Sequence, residues 1–224
     1  MKVGNARYDG PENFPEIAPV FPLAGALLLP GSHLPLNVFE PRYIALMDHA
    51  IASDRLVTMV QPKLTEAAGE TANPALCDVG CIGRITSFSE TGDGRYIVSL
   101  AGICRVRLLD ETTSGDDLFR SVRILPFLSD LGVAGEEPDV DRGALMTVFR
   151  AYLDQHRLEA DWESIERAGN LALVNSLCMM SPFGAAEKQA LLEAASLKAR
   201  SATLVAMLEM LVARSPGNTP NTLQ

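Results

Sequence analysis

Apolar and polar positions change their spacing near residue 128. From Ile17 to Phe127 the apolar residues come in short runs broken by Gly, Pro and Asp, the spacing of strands. "APVFPL" (residues 18–23) and "LPLNVF" (34–39) predict short strands flanked by proline, which confines them to edges, strand starts or bulges. "RLVTMVQP" predicts another strand, "TEAAGETANPAL" a polar loop, and "LFRSVRILPF" the strand that closes the β region. Between them, "FEPRY" predicts a helix start: Pro41 suits the first helical position and Glu40 the cap. Phe39 and Ile44 fall at staple positions, and Tyr43, Met47, Ala50 and Ile51 form the buried face. Residues 1–15 lack periodicity and predict a loose arm.

Residues 78–107 surround "TGDG", a hairpin signal. A Gly92-Asp93 loop sets Cys81 opposite Cys104, Gly83 opposite Gly102 and Ile85 opposite Leu100. It also pairs Asp78 with Arg107 and Glu90 with Arg95, opposite charges across the ladder.

Beyond "SDLGVAGEEPD" the spacing becomes helical. Leu145, Val148, Phe149, Tyr152 and His156 make one stripe, Asp161 caps a short helix, and Ser181-Pro182 ends "LALVNSLCMM". "AAEKQALLEAA" and "LKARSATLVAMLEMLVAR" follow as helices. The expected organisation is an N-terminal arm (1–16), a β subdomain (17–128), a connector (129–139), a four- or five-helix bundle (140–214) and a disordered tail (215–224). The fold class is α+β.

Net charge is −9, which opposes binding to phosphate backbones or anionic lipid. Within the β region Arg84, Arg95, Arg105, Arg107, Arg120 and Arg123 are balanced by Glu90, Asp93, Asp110, Glu111, Asp116 and Asp117, so no basic face is expected. There is no G-x-x-x-x-G-K-[ST], no G-x-S-x-G and no H-E-x-x-H. His33, His49 and His156 lie far apart, and Glu136-Glu137 and Asp116-Asp117 read as solubilising. Cys81 and Cys104 read as small core thiols, with a regulatory disulfide as the alternative. No catalytic, cofactor or metal residue is expected; the chemistry points to a binder. The N-terminus has no apolar leader, and the run Val20–Pro30 is too short to span a bilayer, so a cytoplasmic location is expected.

"VFPLAGALLLPGSHLPLNVFEPRYIALM", "DVGCIGRI", "GDGRYIVSLAGICRVRL" and "PFGAAEKQALLE" resemble the Lon N-terminal, or substrate-binding, domain over roughly residues 17–213. The ordered elements Phe-Pro-Leu, Pro-Gly, Pro-Leu and Phe39-Glu40-Pro41-Arg42-Tyr43 carry the likeness. The resemblance implies a PUA-like β pseudo-barrel followed by a helical bundle, and a role in holding protein substrates. The ATPase and Ser-Lys peptidase of full-length Lon have no counterpart in these 224 residues, so no enzyme activity is expected. Expected partners are unfolded or misfolded polypeptide segments, then a separate protease or chaperone and a second copy of the chain. Nucleic acid and membrane are not expected, and a PUA-like nucleic-acid binder is the alternative. Candidate contact residues are Leu27, Leu28, Leu29 and Leu34, as an apolar edge or groove, and Met207 and Met210 on the last helix. For most of the Phe21–Met47 segment and for the last helix, burial in the core is the first reading and a contact surface the alternative.

Overall fold

The computed structural model describes residues 1–63, 73–112, 118–132 and 139–214. The carboxylate pairs Asp116-Asp117 and Glu136-Glu137, most of the 65–76 loop and the 215–224 tail lie outside the described residues. The chain enters through two short strands, β1 (Lys2–Val3) and β2 (Ala6–Arg7). These are followed by β3 (Ile17–Pro22), β4 (His33–Val38), helix α1 (Pro41–Ala52) and β5 (Leu56–Val60). Next come β6 (Val79–Glu90), β7 (Tyr96–Thr112) and β8 (Arg120–Pro126). Five helices complete the chain: α2 (Arg142–His156), α3 (Trp162–Arg167), α4 (Asn170–Met180), α5 (Ala185–Glu193) and α6 (Leu197–Arg214).

Strand order is β4-β7-β6-β5-β3-β8, and β8 also pairs with β7. Five strands therefore close into a barrel, with β4 attached outside the ring. The length of β7 makes this closure feasible. Its first half pairs with β4 and its second half with β8, while β6 runs along its other side. Side chains from β3, β5, β6, β7 and β8, among them Val20, Ile82, Ile103, Val106 and Val122, fill one core cluster.

The hairpin register agrees with the sequence reading only at Gly83↔Gly102, Arg84↔Ala101 and Ile85↔Leu100. On either side it is shifted by one residue. The loop is longer than two residues: the Thr91 N–H donates to the Arg95 carbonyl, and Gly92 and Gly94 take φ of 71° and 82°. One bulge leaves Thr86 unpaired on β6, and an opposing one leaves Ile103 unpaired on β7, so the shifts cancel. Cys81 consequently faces Arg105, and Cys104 faces Ile82. The two thiols belong to different core clusters, on opposite faces of the sheet, and all four cysteines are free. The expected charge pairs also change: Asp78 binds Lys63, and Arg95 binds Asp93.

Two further expectations are corrected. Strand β3 is interior, between β5 and β8. Its prolines are tolerated because the ladders are staggered. The Ile124 N–H donates to the Glu16 carbonyl, so alternation points the position of Pro19 away from β8, before pairing with β5 begins at Val20. The first residues are also not loose. Val3 and Tyr8 are buried, and the Met1 ammonium donates to the Tyr8 carbonyl at 2.6 Å. Strands of two residues carry no periodicity to detect.

Helix α1 starts at Pro41, with Glu40 as N-cap. The Glu40 side chain makes no cap bond; its Oε2 accepts from Arg42 Nε at 3.0 Å instead. Leu46 joins Tyr43, Met47 and Ala50 on the buried face, while Ile51 is only half-buried. Phe39, expected to staple the turn, is 62% exposed. Asp161 caps α3 by accepting from the Ser164 N–H at 3.1 Å.

One hydrophobic cluster runs from α1 and the outer sheet face into α2, α4, α5 and α6. Polar bonds cross the same boundary. Asn175 Nδ2 donates to the Pro30 carbonyl at 2.9 Å, Lys188 Nζ to the Gly25 carbonyl at 2.8 Å, and Arg105 to the Ala194 carbonyl. Residues Leu128–Leu131 form a 3-10 turn whose Asp130 pairs with Arg105, both nearly buried.

Candidate functional site

Leu27, Leu28 and Leu29 are core residues, not a surface. The segment crosses the barrel wall over the facing glycines Gly83 and Gly102. A Cβ on Gly83 would lie 2.7 Å from a Leu28 methyl, and one on Gly102 would overlap the Leu29 carbonyl. Gly31 and Ser32 exchange backbone bonds with Gly102 at 2.9 Å, which fixes the leucines in place. Leu34 is half-buried on the outer strand β4. Met207 is half-buried and Met210 is 49% exposed on α6. The structure does not bring these six residues into one surface.

The "FEPRY" residues lead to a different place. The first turn of α1, the end of β3 and the start of β8 enclose a cleft of about 310 Å³. Its walls are Pro22, Tyr43, Pro62, Pro74, Leu118 and Phe119, and Arg42 and Arg120 also line it. Tyr43 stacks on Phe21 with ring centroids 4.1 Å apart, and its hydroxyl donates to the Pro22 carbonyl at 3.0 Å. Burial pushes the phenol pKa up, partly offset by Arg42. The Arg42 guanidinium lies 4.5 Å over the Tyr43 ring and binds Glu40 at 2.9 Å. Arg120 pairs with Glu111 and donates to the Pro74 carbonyl at 2.8 Å. Phe119 leans on His49, and Leu118 projects at the rim, 68% exposed.

Chemically the cleft offers apolar walls, proline rings and two guanidinium groups already engaged with carboxylates. No carboxylate or histidine among the described residues lines it to move a proton. Among the described residues no group of three His, Cys, Asp or Glu side chains is placed to hold a metal. The strand expected over "LFRSVRILPF" begins only at Arg120, which leaves Leu118 and Phe119 ahead of β8 at the cleft mouth. One signal was present: two large apolar residues directly follow the polar stretch "TTSGDD".

No helix among the described residues is long and apolar enough to cross a membrane. Residues 17–210 match the family described as the ATP-dependent protease La (LON) substrate-binding domain. Lon protease 2 of Myxococcus xanthus is 27% identical over 203 residues, covering 88% of this chain and 24% of that protein. The Lon protease of Parabacteroides distasonis is 29% identical over 211 residues, 89% of this chain and 24% of its own length. This chain thus spans at most about a quarter of these curated relatives. Two solved structures share the fold. The Lon N-terminal domain protein from Xanthomonas campestris has a TM-score of 0.56 at 19% identity, covering 89% of this chain and 99% of that one. The N-terminal domain of Mycobacterium avium complex Lon protease has a TM-score of 0.58 at 18% identity, covering 86% and 98%. With the family pattern spanning nearly all of the barrel and bundle, the chain belongs to the LON substrate-binding domain family.

Proposed function

We propose that this chain is a polypeptide-recognition module acting as an adaptor or holdase in protein quality control, without ATP hydrolysis or peptide cleavage of its own. The cytoplasm is its proposed location. The observation that carries this reading is the cleft beside the family's "FEPRY" motif, whose apolar mouth at Leu118 and Phe119 stands open to solvent. An unfolded segment placing a leucine or phenylalanine there would gain about 2 kcal/mol from burial. Proline and tyrosine walls grip such side chains without demanding a particular sequence, as a module serving varied clients requires. The net charge of −9 and the carboxylates holding Arg42 and Arg120 speak against a nucleic-acid backbone as ligand.

The test is fluorescence anisotropy with labelled, chemically unfolded casein, repeated at about 50 mM and about 200 mM salt. Binding that is nearly independent of salt and weakened about tenfold by Leu118→Asp supports the reading. A Leu118→Asp variant that binds like the parent, or a preference for RNA that falls steeply with salt, overturns it.

A further inference from the structure

Strand β6 outruns its neighbour. Strand β5 pairs with β6 only from Met59↔Cys81 to Leu56↔Arg84, and a last bond runs from the Ile85 N–H to the Arg55 carbonyl. Beyond the bulge residue Thr86, β6 pairs from Ser87 to Glu90 with β7 alone among the described residues, and all five residues from Thr86 to Glu90 are exposed. The register shows which backbone groups face outward. The Thr91 N–H donates to the Arg95 carbonyl, so bonded pairs alternate back along the hairpin through Ser89↔Ile97 and Ser87↔Ser99. Phe88 and Glu90 therefore direct their N–H and C=O groups away from β7, into solvent. Beside this free ladder the Phe88 ring, 43% exposed, rests edge-on against Tyr96 at 4.7 Å. Tyr96 is anchored in turn to Asp48 through its hydroxyl at 3.0 Å.

We infer that the Thr86–Glu90 edge of β6 binds an extended polypeptide segment as an added strand, separate from the cleft. The inference rests on the polypeptide reading but not on Leu118 or Phe119. Free backbone donors and acceptors at strand spacing are complementary to another backbone in extended form, and to little else. Five residues span roughly 16 Å, enough for a segment of about five residues. Its apolar side chains would alternate onto Phe88. Charge selects a client over a second copy of this chain. Glu90 lies on the edge itself, and two molecules of charge −9 repel, whereas a neutral or basic segment does not. The edge is thus guarded against itself while remaining open to other chains.

The experiment uses a ten-residue peptide of alternating valine and threonine with one lysine at each end, and a second version N-methylated at every internal residue. Amide hydrogen exchange at Phe88 and Glu90 is followed with and without each peptide. The inference predicts protection of both amides by the first peptide and none by the methylated one, which has no internal backbone donors on either edge and too much bulk to pair as a strand. Glu90→Pro removes the outward N–H but leaves the β7 ladder intact, and it should weaken binding about tenfold; Glu90→Gln should not. Leu118→Asp should leave the protection unchanged, so failure here and failure at the cleft are read separately. Equal exchange with and without peptide, equal protection by the methylated peptide, or protection that rises with protein concentration alone would each overturn the inference. The peptide comparison on the unaltered chain holds even where Glu90→Pro does not fold.

Discussion

Gly102 and Leu29 meet backbone to backbone, with no room between them for even a methyl group. This contact turns "LAGALLLP" into interior. The chain crosses the barrel wall where two facing glycines leave the pleat bare, and Leu28 and Leu29 drop into the gap. Gly102→Ala must push the crossing segment away from the wall, because the obstacle is a main-chain carbonyl and not a flexible side chain. A loss of about 3 kcal/mol is expected, read as a lower urea midpoint with an unchanged slope.

Asn175 links the two halves of the fold. Its Nδ2 donates to the Pro30 carbonyl, and its Oδ1 accepts from Arg200 at 3.2 Å. Arg200 is buried and is held by Asn175 and the Leu191 carbonyl. Burial pulls its pKa down from the ordinary value. Asn175→Ala strands a buried charge and a buried carbonyl together, so a cost of about 3 kcal/mol is expected in equilibrium unfolding. Asn175→Asp, which keeps the acceptor and adds a charge for Arg200, should lose less.

Burial pushes the thiols of Cys104 and Cys178 from 9.0 up to about 12. The folded chain therefore keeps its protons where the unfolded chain has lost them. This contribution is fully present below pH 9 and is lost as pH rises toward 12, by up to about 1.4 kcal/mol per pH unit for each thiol. Urea midpoints measured from pH 8 to pH 11 should fall more gently in Cys178→Ala than in the parent chain.

The same burial sets reactivity. Cys77 is half-exposed, while Cys81, Cys104 and Cys178 are enclosed. One thiol per chain should react with Ellman's reagent in native buffer and four in denaturant. Mild oxidant should form no bond between Cys81 and Cys104, since they face opposite sides of the sheet.

Local signals were legible in the sequence because they act over a few residues. Pro41 opened α1, Asp161 capped α3 and Ser181 ended α4 at the places the pattern indicated. The hairpin was legible in outline, but two opposing bulges displaced its pairs by one residue, and an alternating pattern cannot reveal a bulge that its partner later cancels. The cleft was not legible. Tyr43, Pro74 and Phe119 lie far apart along the chain and meet only after the barrel closes. Leu27, Leu28 and Leu29 looked like surface candidates because an apolar run reads the same whether it lines a groove or fills a wall. Only the bare glycines opposite decide between them.

The most direct measurement places a benzophenone amino acid at position 118 and, in a second protein, at position 158, where Leu158 is similarly exposed outside the cleft. Each protein is illuminated with unfolded casein, and the adducts are mapped by mass spectrometry. The account predicts cross-linking from position 118 that excess unlabelled casein suppresses and RNA does not, with little from position 158. Equal cross-linking from both positions, or none from position 118, would contradict it.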